Sequence, residues 1–420
     1  MTTLQVGLDL DLRTEPQNTT TFAGNLSLPV HRWFRYSAGY SAEWVESIID
    51  GDRSARVLDP FVGSGTTVLA AQARGVPAIG LESQPFVYRV ARAKLAWQTD
   101  VRQFFHRAEE LMKAHAPAVV VAPPPLVQKC FTSGVLEDLF GLRDQILELD
   151  LDEPQNQLLW LAFVSVVRKT SHAGTAQWQY VLPNKTKSMV QGVLVAFRSQ
   201  VAIMIADMEA CQAKQSTPPN ASIIQADARQ DSVLPEGWAT HVICSPPYAN
   251  NYDYADATRL EQTVLGEISS WADLKQMRSV LVRSCSQAMT RYDTTPVFAD
   301  PILAPILDEL TTVHSMLAEA KVGHGGKKAY DDMVVAYFHD LARVWRQLRS
   351  ATCRGAKVCF VVGDSAPYGV YVPVERWLGE LAIASGFKSW RFEKLRDRNV
   401  KWKNRKHTVP LHEGRLWVEG

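Results

Sequence analysis

The stretch Val57-Leu-Asp-Pro-Phe-Val-Gly-Ser-Gly-Thr-Thr-Val-Leu-Ala70 constrains the fold more than any other part of the chain. An apolar run ends in an acid, a turn carries two glycines, and a helix opens at Thr66 and Thr67. Such a turn lets the backbone approach a ligand closely, while the helix start offers N–H groups that have no partner inside the helix. A second segment, Val242-Ile-Cys-Ser-Pro-Pro-Tyr248, reads as a buried strand closed by two prolines and an aromatic ring. Consecutive prolines cannot donate ladder hydrogen bonds and hold the chain extended, so the strand stops with its last side chains at the C-terminal edge of the sheet. Ligands of open α/β sheets sit on that edge.

Asp59-Pro60-Phe61-Val62-Gly63-Ser64-Gly65-Thr66-Thr67 resembles the S-adenosylmethionine loop of amino-directed DNA methyltransferases, and Ser245-Pro246-Pro247-Tyr248 resembles their catalytic motif. The resemblance implies an α/β, Rossmann-like methyltransferase sheet with helical insertions, S-adenosylmethionine as cofactor and DNA as partner. The loop Asp59, Pro60, Phe61, Gly63, Ser64, Gly65, Thr66 and Thr67 is implied to hold the cofactor. Glu82 follows the glycine loop by ~20 residues at the end of a second strand, where an acid can accept hydrogen bonds from both ribose hydroxyls. Ser222-Ile-Ile-Gln-Ala-Asp-Ala228 resembles the third cofactor strand, which makes Asp227 the acid for the adenine amino group. His31-Arg-Trp-Phe-Arg-Tyr-Ser-Ala-Gly-Tyr40 resembles the aromatic cofactor-side motif, placing Phe34, Tyr36 and Ser37 near the methionine part; aromatic core packing accounts for these residues equally well.

The cofactor loop precedes the catalytic motif, as in the gamma arrangement of these enzymes. Serine ahead of Pro-Pro is more typical of the cytosine-N4 enzymes, so a flipped cytosine is favoured over adenine N6. An RNA substrate, and a DNA-binding subunit without catalysis in a defence assembly, are the other readings. Ser245 and the Pro246 carbonyl would accept hydrogen bonds from the target NH2, and Tyr248 would stack on the extruded base. Cytosine-C5 chemistry is disfavoured, because it needs a cysteine after a proline and none of the six cysteines has that setting. Cognate restriction or defence proteins are further partners in keeping with the resemblance.

A chain of 420 residues with 46% hydrophobic content can bury a large core, as one enlarged catalytic domain or two. No apolar run reaches the roughly 18 to 20 residues that cross a bilayer, and Met1 to Thr21 lacks the order of a signal peptide, so a cytoplasmic location is expected. The cysteines show neither a Cys-x-x-Cys pair nor a zinc-site spacing with histidine, and no metal is expected. The pattern divides the chain into a flexible arm over 1–27, a cofactor half over 28–99 and a helical insertion over 100–218. A catalytic-motif half over 219–260, a helical region with a target-recognition role over 261–354, and closing strands with a basic tail over 355–420 complete it.

Net charge is +1, yet Lys388 to Lys406 holds nine Lys or Arg against Glu393 and Asp397, interleaved with Trp390, Phe392 and Trp402. This composition suits phosphate neutralisation beside aromatic packing, and Arg396, Arg398, Lys401, Lys403, Arg405 and Lys406 are expected to contact nucleic acid. The oligomeric state has no sequence signal.

Overall fold

The computed structural model describes residues 22–176, 179–215, 219–249, 252–289, 293–398 and 409–420. Nine strands occur among them: β1 (Val57–Asp59), β2 (Ala78–Glu82), β3 (Ala173–Thr175), β4 (Val181–Thr186), β5 (Ala221–Gln225), β6 (Ala239–Cys244), β7 (Thr352–Gly363), β8 (Ser389–Arg398) and β9 (Leu411–Glu419). Seven form one sheet in the order β5-β2-β1-β6-β7-β9-β8, and β3 pairs with β4 separately. The first five pair in parallel, and β9 runs antiparallel to both of its neighbours. Strand order reverses between β1 and β6, so the glycine loop and the Ser-Pro-Pro-Tyr corner emerge side by side at the switch point, where such sheets bind ligands. This is a Rossmann-like methyltransferase sheet with helical insertions.

The period-two alternation of the central strands sorts their side chains onto two faces. Val57, Ile243, Cys359 and Val361 pack under helices Ala42–Ile49 and Thr66–Ala73. Leu58, Val242, Cys244, Val358, Phe360 and Val362 pack under helices Tyr330–Ala351 and Val374–Ala384, where Trp345 stacks on Phe360 with ring centroids 4.6 Å apart. Ser41 caps the first of these helices by accepting a hydrogen bond from Trp44 N at 3.3 Å, as its sequence position predicts. Gly80 in β2 is required by packing, because a Cβ there would come within 2.7 Å of Val62 in the loop.

Helices Val101–Ala114, Ser133–Leu147, Pro154–Thr170 and Val193–Lys214 fill most of the expected insertion. They build a core of their own around Leu158 to Val164, joined to the sheet through helix Pro85–Leu95. The insertion also contains the β3–β4 hairpin, which the expectation of a helical insertion over 100–218 did not include. That hairpin is short, and β4 carries Pro183, Asn184 and Lys185 instead of an alternating apolar pattern.

The insertion grips the segment from Val30 to Trp33. Asp207, 3% exposed in its side chain, accepts hydrogen bonds from Val30 N (3.1 Å), Trp33 Nε1 (2.9 Å) and the Arg32 guanidinium (2.5 and 3.0 Å). Part of the expected flexible arm over 1–27 is structured. Phe22–Ser27 forms a 3-10 turn, and Asn25 within it donates to Tyr40 O (2.8 Å) and accepts from Ala42 N (2.9 Å). The rest of the arm, residues 1–21, lies outside the described residues. Replacing Asp207 by alanine leaves two buried donors without an acceptor, so Asp207→Ala should lower stability by about 3 kcal/mol. Urea unfolding should show this as a lower midpoint, with early proteolytic cleavage near Val30.

Candidate functional site

The glycine loop is held from below by a buried hydrogen-bonded knot. Asp59, at the end of β1, is fully buried. It accepts from Phe61 N (2.9 Å), Tyr40 Oη (3.0 Å) and the Thr67 hydroxyl, and the two hydroxyls also touch each other. Both hydroxyls reach the Ile243 carbonyl on β6, Tyr40 at 3.2 Å and Thr67 at 3.4 Å. Burial pushes the Asp59 carboxyl up to about 6, with the three hydrogen bonds acting in the opposite direction. Burial and the facing Asp59 hold the Tyr40 hydroxyl protonated far above its ordinary range. Asp59 therefore organises the loop from inside the protein and does not face the cavity above it.

Above the knot lies a cavity of ≈ 770 Å³, counting the space at its open mouth. Its wall includes Tyr36, Pro60, Phe61, Gly63, Ser64 and Thr66 from the loop side, Glu82 from the end of β2, Asp227 just beyond β5, and Ser245 and Pro247 just beyond β6. Gly63 adopts φ +53°, and a Cβ there would meet the Tyr36 ring at 3.1 Å. Glu82 accepts from Gly63 N (3.1 Å) and Gln84 N (2.8 Å), one bond on each oxygen, which leaves lone pairs for further donors. Burial lifts its carboxyl from 4.5 to about 7, against the pull of those two bonds. Asp227 is gripped by Arg229, which donates to it from Nε (2.8 Å), Nη2 (2.5 Å) and its backbone N (2.9 Å).

Arg229 bonds onward to the fully buried Asp340 at 2.8 Å, and Asp340 also accepts from Arg283 N (3.0 Å) and Nε (2.9 Å). Between Arg229 and Arg283 runs Val280-Leu281-Val282, a wall of the cavity supplied by the second helical region. Sequence reasoning missed this wall and the Arg229–Asp340–Arg283 network. The partners lie far apart in the chain, and no short motif joins them.

The Ser-Pro-Pro-Tyr corner is packed with tyrosines. Ser245 Oγ donates to Val361 O at 3.5 Å, and Tyr248 N donates to Tyr254 Oη at 3.4 Å. Tyr254 lines the cavity and sits edge-on to Tyr252, whose ring lies 5.5 Å from that of Tyr180 in the insertion. Tyr180 Oη accepts from Asp253 N at 2.8 Å, and Asp253 is buried against Arg278 at 2.6 Å. The Arg398 guanidinium lies over the Tyr248 ring at 5.5 Å and donates to Asp364 O at 2.7 Å. Gly363 leaves room for it, since a Cβ there would fall 2.7 Å from Arg398 Nη1.

Tyr36, Pro60, Phe61, Gly63, Ser64, Thr66, Glu82, Asp227, Ser245 and Pro247 thus share one cavity, and the other expected residues lie away from its wall or outside the described residues. Phe34 packs against Phe86 in the insertion core, with centroids 5.8 Å apart. Ser37 is buried, its N–H donating to Gln179 Oε1 (2.9 Å) and its hydroxyl without a partner among the described residues. Gly65, at φ +94°, caps the helix that Thr66 and Thr67 open, and Thr67 belongs to the knot. Pro246 is buried, and Tyr248 stands beside the cavity wall, half-buried. Of the basic tail, Arg396 is paired with Glu413 at 2.8 Å and Arg398 is turned to Tyr248, while Lys401, Lys403, Arg405 and Lys406 lie outside the described residues.

Sheet order and glycine loop give a Rossmann-like methyltransferase fold, and the Ser-Pro-Pro-Tyr corner resembles the motif of the amino-directed enzymes. Similarity to named proteins runs along nearly the whole chain. It is 25% identical to the Type II methyltransferase M.BsoBI of Geobacillus stearothermophilus, in an alignment covering 90% of this chain and 82% of that protein. It is 23% identical to the Type II methyltransferase M.AvaI of Nostoc sp. and of Anabaena variabilis, covering 87% of this chain and 81% of each of those proteins. No family model matches the chain, and no solved structure matches it. No helix among the described residues is long and apolar enough to cross a membrane.

Removing the hydroxyl of Tyr40, which also lines the cavity, takes one bond from a buried carboxyl. Tyr40→Phe should lower stability by about 2 kcal/mol, seen as a reduced urea midpoint with an unchanged circular dichroism spectrum.

Proposed function

We propose that the protein is a site-specific DNA methyltransferase that uses S-adenosylmethionine to methylate the exocyclic amino group of a flipped base, with cytosine N4 as the favoured target. The observation that carries this reading is that Glu82, Asp227 and Ser245 share one cavity, so a cofactor and a reacting amino group can meet inside it. The similar proteins are Type II methyltransferases, which supports the reaction class.

The residues present fit the cofactor. Glu82 has lone pairs free for the ribose hydroxyls, and Gly63 lets the loop backbone close against Tyr36. Asp227 retains acceptor capacity beside its Arg229 bonds for the adenine amino group. S-adenosylmethionine supplies an electrophilic methyl group on a sulfonium. The chain's own task is to prepare the nucleophile. An amino group conjugated to a base ring is poor at attack because its lone pair is delocalised, and Ser245 Oγ with the Pro246 carbonyl would accept its N–H groups and favour a pyramidal nitrogen. Displacement forms the N–CH3 bond, leaves the electron pair of the broken S–CH3 bond on sulfur, and releases a proton from nitrogen. With Arg398 over one face of Tyr248, the opposite face is offered to an extruded base. Cys244 is fully buried and burial raises its thiol well above the ordinary range, which argues against cytosine-C5 chemistry. On the edge strand β8, Lys394 and Arg396 are paired with Asp397 (2.6 Å) and Glu413 (2.8 Å), and Arg391 is exposed, so the support this strand gives to a polyanionic partner is its basic composition. A cognate restriction or defence protein is the further partner that the resemblance suggests.

Methyl-labelled cofactor incubated with duplex DNA or RNA, followed by nucleoside mass spectrometry, tests the assignment. N4-methylcytosine in DNA is expected, lost in Ser245→Ala and reduced at least about tenfold in Tyr248→Ala. N6-methyladenine would change the base and keep the mechanism, and transfer to RNA alone would overturn the DNA assignment.

Glu82 gives a pH dependence with a defined sign. Its folded-state pKa is raised to about 7, so its contribution to stability is full below the ordinary 4.5 and lost as pH rises through about 7. Ribose hydroxyls donate best to the ionised form, so cofactor affinity should rise with pH through the same region. Calorimetry should show this slope in the wild type and a flat, weaker profile in Glu82→Gln.

A further inference from the structure

A second group of polar side chains sits behind the catalytic corner, and methyl transfer does not use it. Asp364 follows β7, Glu375 lies in the first turn of helix Val374–Ala384, and His412 is on β9. One potential ligand atom from each lies within 4.8 Å of the others. His412 Nδ1 is 2.6 Å from Asp364 Oδ2, and its Nε2 is 3.4 Å from Glu375 Oε1. The Asp364 side chain is 0% exposed and that of Glu375 14%. Asp364 Oδ1 and Glu375 Oε2 are buried with no hydrogen-bond partner among the described residues.

A neutral imidazole has a single N–H. If Nδ1 donates it to Asp364, the Nε2 lone pair points toward a carboxylate oxygen, an arrangement that needs either a second ring proton or a cation between them. Two buried carboxyls facing each other need the same. The neighbouring groups do not supply a positive charge. Arg398 donates to the backbone carbonyl of Asp364, Arg376 is engaged by Glu309 (3.0 Å) and Glu380 (3.1 Å), and the Tyr371 hydroxyl beside Asp364 is uncharged.

We propose that Asp364, Glu375 and His412 bind one divalent cation of the zinc or manganese type. One imidazole nitrogen with two carboxylates is a donor set that such borderline cations accept, with water completing the shell. No spacing of cysteines and histidines announces the site, because its three residues come from separate elements. Its role is structural. The next residue, Ser365, donates its hydroxyl to the Ala249 carbonyl just beyond Tyr248, and Ser365 also bridges to Val372. A cation there would brace the turn that supports the Ser-Pro-Pro-Tyr corner.

The test uses the full chain, stripped by a chelator and equilibrated at neutral pH with zinc or manganese, and read by metal analysis, competition titration and thermal unfolding. One cation per chain and a metal-dependent rise in melting temperature are expected for the wild type. Glu375→Gln and His412→Gln should each weaken binding at least about tenfold and lose the thermal shift. Glu375→Gln preserves side-chain shape, so it serves if the histidine variant fails to fold. A wild type that binds no stoichiometric cation would overturn the proposal in favour of a shared proton, and equal binding by wild type and variants would place the metal elsewhere. Metal content is independent of methyl transfer, so this result and that of the labelling experiment can fail separately.

Discussion

The arrangement of this site depends on one buried contact, the knot of Asp59, Tyr40 and Thr67 beneath the glycine loop. A carboxyl at the end of a central strand would be costly in an apolar interior. Here it takes hydrogen bonds from the loop backbone, from the first turn of the following helix and from the N-terminal aromatic segment. The two hydroxyls then reach the Ile243 carbonyl on the neighbouring strand, two residues before Ser245. The glycine loop and the end of β6 are thus fixed to each other by hydrogen bonds as well as by strand pairing.

A second layer of constraint comes from the insertions. Arg168, from the long buried helix of the first insertion, pairs bidentately with the buried Glu261 and donates to Ala257 O (2.8 Å) and Gln179 O (2.7 Å). Gln179, buried at φ +69°, in turn holds Ser37 N and Arg35 O at 2.9 Å each. The segment after the catalytic motif and the aromatic segment before the glycine loop are therefore clamped by the same inserted element. On the opposite side, Asp340 and its two arginines hold Val280 to Val282 against the cavity. Buried ion pairs of this kind add little net stability compared with apolar packing, but they are costly to break and they fix position.

Sequence revealed what depends on local rules. The glycine loop, the Ser41 cap, the strand that ends in Pro-Pro and the acid at the end of β2 are each written in a few adjacent residues, and each is found where the pattern puts it. What stayed hidden depends on contacts distant in sequence. Asp59 reads as a ligand acid because it ends a strand beside a glycine turn, yet its role is set by Tyr40, which no spacing ties to it. Arg398 reads as part of a basic run, but Gly363 and Tyr248 give it a place against the catalytic corner. The β3–β4 hairpin was missed because its strands are short and lack alternation, so their pairing is stabilised by surrounding packing instead of by propensity.

The central claim is that Glu82 and Ser245 face one cavity in which cofactor and target amino group meet. A crystal structure with the demethylated cofactor, S-adenosylhomocysteine, tests it most directly. The account predicts the ribose hydroxyls on Glu82 and the sulfur directed toward the Ser245 side of the cavity. A ligand bound outside the Glu82–Ser245 cavity, or bound in it with the sulfur directed away from Ser245, would contradict it.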